Sequence, residues 1–586
     1  MQITFLFSGR VRTLMSSDCK EGSSLMRDLR IYIMTWNVVC RGPIEDLHSA
    51  LGLEPPVIVE SLPDLYAIGF QEVSARPQHL ITQAFFEEPW VQAVKDALRK
   101  YCYVKVKHVR LQGLVLAIFS KREHLIHLRN VQTTYTRTGF GGVWGNKGGV
   151  TIRLCAYGCS ICYVNAHLAA HDSETLQRIN EYNTIIEKQT FVDSQATNIL
   201  THDYAFWFGD LNFRVDDCTM DEMKSSIEDG SFQKMLSKDQ LLKVRGRREA
   251  FHEFMEQDIT FPPTYKFQID GMGYNFSNRK PAWTDRILYR FTKDAYDNTT
   301  LDLKTHHYAS HTLHIQSDHK PVSGFFTIKV FAKPDHPMIY FMPVGPWIIS
   351  QDCFAWYYTR PDIEVQPWDW IALYREGFTS VDDHIGYVWA STRPTDVHPT
   401  TNTRHRNRKQ SRSASARRTH SPSDAESGLR SLSAMRAQKD SDPATPLGSD
   451  TPKRQHRGSI PSGEASNTPR AHASRRDHSA PRDRRHSSLD CHSGLRSADA
   501  ENASPLEQKY NSDELAYTGR KLSTTLRAEG QLQEDVMNPV YYRVLFGDHS
   551  LLVSGKYRLL YLRGESDVLG MSDPFKIKGS AIQSFS

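Results

Sequence analysis

Tyr204-Ala-Phe-Trp-Phe-Gly-Asp-Leu-Asn212 decides how this chain is read. Five residues, Tyr204 to Phe208, are apolar on both alternating faces, as a strand covered on both sides of its sheet must be. The run then stops at Gly209, Asp210, Leu211 and Asn212, so polar groups sit where the strand ends.

The same design recurs outward along the chain. Candidate strands are Ile31 to Val38, Leu65 to Phe70, Tyr103 to Ser120, Val150 to His167, Ile287 to Arg290 and Phe325 to Val330. Polar clusters close or precede them: Thr35, Trp36 and Asn37; Gln71 and Glu72; Asn165 and His167; Trp283, Thr284, Asp285 and Arg286; Ser317, Asp318 and His319. Leu176, Ile179, Tyr182, Ile185 and Ile186 recur at helical spacing, and a second helix is expected over Leu80 to Leu98. Long hairpins with separated helices and no strict strand–helix rhythm predict an α/β fold, a two-sheet sandwich rather than a Rossmann unit or barrel.

Ala332 to His336 reads as a linker. From Met338 aromatic strand segments broken by Pro and Gly predict a small β-sandwich, with Trp368 and Trp370 read as core. Fifty residues are too few for a complete sandwich, and the pattern resumes at Val540 to Phe546 and Tyr557 to Tyr561. The expected organisation is therefore residues 29–331, then one β-sandwich in two pieces, 338–395 and 535–578, interrupted by a disordered Ser/Arg/Pro-rich insertion at 396–534.

The insertion dominates the charge. Of 586 residues with a formal net charge of +5, Thr401 to Ala500 holds 17 Arg and 3 Lys against 10 acidic residues, and no Phe, Tyr or Trp. The rest is mildly acidic, which gives no nucleic-acid signature. Nine irregularly spaced cysteines do not form a secreted disulfide framework, and neither a signal peptide nor a membrane span is expected.

Glu72, Asp210 and Asp318, with Asn37, Asn165 and Asn212 as neutral oxygen donors, suit a hard cation such as Mg²⁺. No thiolate at ligand spacing backs His167 and His319, so zinc is the weaker reading. Asp285 and His319 suit an acid–imidazole pair, the carboxylate fixing the tautomer. The glycine-dense loop from Thr138 to Gly149 permits close approach of an anion to its backbone, and Lys147 adds charge; no Ser or Thr follows that lysine, so it is not a P-loop. Lys266, Arg279, Lys280 and Arg286 form a second basic set, which points to a ligand with several phosphates. No cysteine is followed by five residues and an arginine, so direct attack by water is expected over a cysteinyl-phosphate route.

These stretches resemble the inositol polyphosphate 5-phosphatases: Thr35-Trp-Asn-Val38, Phe70-Gln-Glu72, Trp144-Gly-Asn-Lys-Gly-Gly149, Asn165-Ala-His-Leu168, Trp207-Phe-Gly-Asp-Leu-Asn-Phe-Arg214, Phe261-Pro-Pro-Thr-Tyr-Lys266, Pro281-Ala-Trp-Thr-Asp-Arg286 and Ser317-Asp-His-Lys-Pro-Val322. Pro367-Trp-Asp-Trp-Ile371 and Gly570-Met-Ser-Asp-Pro-Phe575 resemble the SKICH domain, so the likeness is nearest to the skeletal muscle and kidney enriched and proline-rich members. The resemblance implies a DNase I-like endonuclease/exonuclease/phosphatase sandwich. It also implies Mg²⁺-dependent removal of the 5-phosphate from phosphatidylinositol 4,5-bisphosphate, phosphatidylinositol 3,4,5-trisphosphate and soluble inositol polyphosphates. By that likeness Glu72 ligates the metal with Asn37 and Asp318 at or beside it. Asp210 positions or deprotonates water, and His319, oriented by Asp285, stabilises the phosphoryl group with Asn165, His167 and Asn212; the base is Asp210 or His319. Tyr265, Lys266, Arg279 and Lys280 are implied to grip the 4-phosphate.

Two stretches depart from the pattern. Ala169-Ala170 stands where the kidney-type relatives have paired prolines, and Gly271 to Asn278 is short and uncharged. A cytoplasmic monomer transiently recruited to plasma membrane or endomembranes is expected, with phosphoinositide membranes as partner. Arg417 to Ser421, Lys453 to Ser459 and Arg484 to Ser487 each place Arg upstream of a hydroxyl, as a phosphoserine-binding adaptor site would require. The alternatives are a DNase I-like metal-dependent nuclease and a non-catalytic phosphoinositide-binding scaffold.

Overall fold

A computed structural model describes residues 26–74, 87–142, 144–193, 195–277, 279–297, 299–332, 337–360, 362–395, 539–547 and 553–579. The insertion, most of the linker and the start of the expected Leu80 to Leu98 helix lie outside them.

Two sheets face each other. The first has six strands in the order β10-β11-β1-β2-β4-β3: β1 (Met26–Asn37), β2 (Leu65–Gln71), β3 (Tyr103–Leu111), β4 (Leu114–Lys121), β10 (Leu303–Ser310) and β11 (Val322–Phe331). The second has five in sequence order: β5 (Leu128–Thr138), β6 (Trp144–Ala156), β7 (Cys159–His167), β8 (Tyr204–Asp210) and β9 (Asp285–Phe291). The long runs Tyr103 to Ser120 and Val150 to His167 are thus hairpins.

Strand alternation explains why both faces had to be apolar. Ile31, Ile33, Leu116, Ile152, Tyr163, Phe206 and Phe208 fill the layer between the sheets. Met34, Trp36, Ile68 and Phe70 point the other way, against Trp90, Val91, Val94 and Leu98 of α1 (Pro89–Leu98). Val164, Ala205 and Trp207 meet Ile179, Tyr182 and Ile185 of α2 (Thr175–Lys188). Proline opens α1, and the Glu88 carboxylate caps it by accepting the Val91 N–H at 3.0 Å.

Beyond β11 lies the small β-sandwich. One sheet is β12 (Ile339–Phe341), β14 (Cys353–Thr359) and β17 (Tyr541–Phe546); the other contains β13 (Trp347–Ile348), β15 (Trp370–Arg375), β16 (Gly386–Trp389), β18 (Gly555–Arg563), β19 (Asp567–Met571) and β20 (Phe575–Lys578). β14 pairs with β17 and β15 with β18, so strands on either side of the insertion share both sheets. Trp370 is half-buried, but Trp368 is 76% exposed, which corrects its reading as core: its indole projects from the turn before β15.

This sandwich docks on the first domain. Lys105 N–H donates to Thr379 O, and the Asp567 carboxylate accepts Asn130 N–H at 2.7 Å and Val131 N–H at 3.1 Å. Ala372, Tyr374, Leu560 and Val568 belong to the same apolar cluster as Val104, Leu125 and Leu128. Lys105 and Asn130 lie near the starts of β3 and β5. The opposite ends of those strands, through the pairings Leu111 with Leu114 and Arg137 with Gly148, lead to the polar strand ends.

Candidate active site

Register brings the polar strand ends to one edge. β1 and β2 are parallel with Asn37 opposite Gln71, β7 and β8 are parallel with His167 opposite Asp210, and antiparallel β9 puts Asp285 opposite Asp210. Close approach of the sheets requires Gly69, where a Cβ would lie 2.7 Å from Phe208 and 2.8 Å from the Asn165 side chain. Gly209 is likewise obligatory: its φ is +138°, and a Cβ would stand 1.9 Å from Ala166 O.

The floor is a buried amide network. Gln71 Nε2 donates to Thr35 Oγ1 at 2.9 Å and to Asn165 Oδ1 at 2.6 Å, while Asn165 Nδ2 donates to Phe70 O and Val115 O. Asn165 is wholly buried, with its side-chain oxygen and amide engaged across the two sheets. Asn212 is similarly engaged: Nδ2 donates to Leu168 O, Oδ1 accepts from Arg214, and its backbone N–H donates to Asp210 Oδ1 at 3.1 Å.

Asp210, 1% exposed, stands at the centre. Its Oδ2 accepts from Asn37 Nδ2 at 3.0 Å and lies 3.3 Å from His167 Nε2 and 3.9 Å from His319 Nε2. Burial works to raise its pKa, but His319, His167 and Lys147 outweigh it and hold the carboxyl well below the usual range. His319 Nδ1 faces Asp285 Oδ2 at 2.9 Å, and the hydroxyls of Thr264 and Thr284 donate to that same oxygen at 2.7 and 2.9 Å. Burial would lower the imidazole pKa, yet Asp285 and Asp210 push it up to about 10. Tyr265 packs over the His319 ring with centroids 4.5 Å apart, and the Arg214 guanidinium lies 4.7 Å from the Tyr265 centroid.

Around this centre the cations differ in their commitments. Lys147 Nζ contacts His167 Nε2, and burial lowers its pKa against the pull of Asp210 and Glu72. Lys266 pairs with Asp318 at 2.9 Å, and Arg279 Nη2 donates to His171 Nδ1 at 2.9 Å. Lys280 is half-buried in the same loop. Arg286 corrects the expectation that it grips substrate: it is wholly buried, bound to Glu256 at 2.7 Å and Asp239 at 3.1 Å. Alternation along β9 turns it away from the side on which Asp285 meets His319. The sequence reading missed His171, Thr264 as a partner of Asp285, and Arg214, although Arg214 ends one of the quoted motifs.

Asp210, Asp285 and His319 offer ligand atoms within 4.8 Å of one another, a buried cluster consistent with a metal site. Asp285 Oδ2 already accepts from two hydroxyls and faces an imidazole. Glu72 is the open carboxylate: its side chain is 40% exposed, its φ is +53°, and Oε1 lies 3.8 Å from His167 Nε2. Carboxylate and amide oxygens without a thiolate fit a hard divalent cation.

A model of endonuclease/exonuclease/phosphatase family 2 matches residues 34–325, and the SKICH domain model matches 339–425. Mouse inositol polyphosphate 5-phosphatase K is 37% identical over 372 residues, which is 62% of this chain and 79% of that protein. Human phosphatidylinositol 4,5-bisphosphate 5-phosphatase A is 36% identical over 400 residues, 66% of this chain; this chain spans only 40% of that protein's length, and 38% and 37% of its rat and mouse counterparts. The solved inositol polyphosphate 5-phosphatase domain of spsynaptojanin, in complex with inositol (1,4)-bisphosphate and calcium ion, is 32% identical, with a TM-score of 0.45 over 52% of this chain and 85% of that one. With its endonuclease/exonuclease/phosphatase-like sandwich and SKICH domain, the chain belongs to the inositol polyphosphate 5-phosphatase family.

Proposed function

We propose that this protein removes the 5-phosphate from phosphoinositides, phosphatidylinositol 4,5-bisphosphate and phosphatidylinositol 3,4,5-trisphosphate among them, and from soluble inositol polyphosphates, by direct attack of water. The observation that carries the reading is a buried, ionised Asp210 set between the His167 and His319 imidazoles, beside an open carboxylate and beneath a basic rim.

Asp210 accepts from Asn37 and Asn212, so its carboxylate is fixed before substrate arrives and is the group to orient a water and take its proton. His319 has Nδ1 engaged by Asp285 and stays protonated, so Nε2–H is a donor for a phosphoryl oxygen as charge develops. His167 and Lys147 add positive charge on the other side of Asp210. Glu72, with Asn37 and Asp318 beside it, would hold Mg²⁺, which when bound supplies neutralisation of phosphate charge. Tyr265, Lys266, Arg279 and Lys280 grip the neighbouring 4-phosphate, which leaves the 5-phosphate for the centre.

Such a substrate places the reaction on a cytoplasmic membrane surface reached by transient recruitment; no helix among the described residues is long and apolar enough to cross a membrane. The test is phosphate release in Mg²⁺ from substrates differing only in phosphate position, repeated on Asp210→Ala. Loss of the 5-phosphate and a drop of at least about a hundredfold in the variant are expected. Release from 4-phosphate-only substrates, or an unaltered variant, would overturn the assignment.

A further inference from the structure

The basic rim is held by an unexpected partner. Lys266 has its charge matched by Asp318, and Arg41 by Asp270 at 2.6 Å. Among the described residues the Arg279 side chain instead has one hydrogen bond, to Nδ1 of His171. An imidazole nitrogen takes up one of five guanidinium donors and cancels no charge, so Arg279 keeps its full attraction for an anion while its position is restricted.

His171 can do this because its own loop is clamped. It sits at φ +78°, a left-handed conformation that a non-glycine residue keeps only when its surroundings impose it. Wholly buried Arg178 of α2 imposes it: Nη1 donates to Ala169 O at 3.0 Å and to His171 O at 2.7 Å. Glu181, one turn further along, accepts the Ala169 N–H at 2.7 Å. This helix-borne clamp grips the Ala169-Ala170 stretch itself, so the loop is fixed without paired prolines. The loop after β7 in one part of the sheet edge thereby reaches the separate loop that precedes β9.

We propose that His171 is a specificity-determining positioning residue, which stations Arg279 at the mouth of the site and so sets the preference for substrates bearing a phosphate next to the scissile one. The inference rests on the phosphatase reading above. It assigns His171 no contact with the reacting atoms.

Steady-state kinetics of the full chain in Mg²⁺ test it, with inositol 4,5-bisphosphate and inositol 5-phosphate as paired substrates. His171→Ala is expected to raise KM for the bisphosphate about tenfold, with kcat within about twofold and KM for the monophosphate unchanged. His171→Asn, whose Oδ1 can accept the Arg279 N–H, should restore most of the affinity. In an Arg279→Ala background the change at 171 should have no further effect, because the two residues act through one contact. His171→Leu is measured in parallel so that a folding defect in one variant does not decide the outcome. An equal rise in KM for both substrates, or additive effects in the double variant, would overturn the inference. A wild-type chain that releases phosphate from neither substrate would instead overturn the phosphatase reading.

Discussion

Asp285 Oδ2 lies 2.9 Å from His319 Nδ1 and also accepts two threonine hydroxyls, from Thr264 and Thr284. Three donors converge on one carboxylate oxygen, so the imidazole has a single orientation that directs Nε2 toward Asp210. An amide in place of the carboxylate would present the same shape with half its oxygens and no charge. Asp285→Asn is therefore expected to lower kcat about 10²- to 10⁴-fold with KM changed little, since the loss falls on the state of His319 rather than on substrate contacts. Kinetics with a soluble inositol polyphosphate check this; a variant within tenfold of wild type would remove His319 from the chemistry.

Glu72 is the carboxylate least committed to protein partners, its side chain 40% exposed above His167. If it anchors the cation, Glu72→Gln should shift the Mg²⁺ concentration for half-maximal activity upward by about 10- to 100-fold, with partial recovery at high Mg²⁺. A Mg²⁺ titration of activity, with melting temperature measured alongside, separates this from misfolding. An unshifted midpoint would move the anchoring role to the Asp210 side of the cluster.

Arg286 makes the contrasting case. Its guanidinium is enclosed by Asp239 and Glu256, both almost wholly buried, with Tyr308 OH also donating to Glu256 at 3.0 Å. Arg286→Met removes the cation shared by two buried carboxylates, leaving Glu256 only Arg245 at 3.4 Å, and should destabilise the chain by about 3–5 kcal/mol. Chemical denaturation reads that loss, while KM of whatever folded fraction remains should stay near the wild-type value. A raised KM at full stability would return Arg286 to the substrate grip.

These residues show why some of the molecule is readable in the sequence and some is not. Strands such as Tyr204 to Phe208 announce themselves because covering on both faces leaves only apolar side chains, and parallel neighbours such as β1 and β2 must end together, which gathers Asn37, Glu72, His167 and Asp210. Edge strands escape that logic. β5 carries Arg129, Asn130, Gln132, Thr133 and Thr134, and β10 carries Lys304, His306 and His307, because each borders its sheet and is largely solvated. Arg286 was misread for a different reason: its counter-ions lie 47 and 30 residues earlier, at Asp239 and Glu256, in segments that have no motif of their own. His171 gave no signal either, since its partner is 108 residues away and its conformation is imposed by α2.

Acid sensitivity should come from histidines outside the site. His202 is wholly buried, with Nδ1–H donating to Asn198 O at 2.8 Å and Nε2 accepting from Arg153 Nε at 3.2 Å, so both nitrogens are used by the neutral ring. Burial, and then the Arg153 charge, push its pKa down from 6.5 to about 4. The unfolded chain thus takes up this proton first. The stability gained from keeping the ring neutral is fully present above pH 6.5 and is lost progressively as the pH falls toward 4, on the order of 3 kcal/mol for a group shifted this far. His108 and His311, pushed down to about 4 mainly by burial, act in the same direction. The melting temperature of the wild-type chain should accordingly fall steadily between pH 7 and pH 5. The decline should be shallower in His202→Gln, whose amide can still accept from Arg153 but does not titrate, and parallel curves for the two proteins would show that His202 is not among the groups that set acid stability.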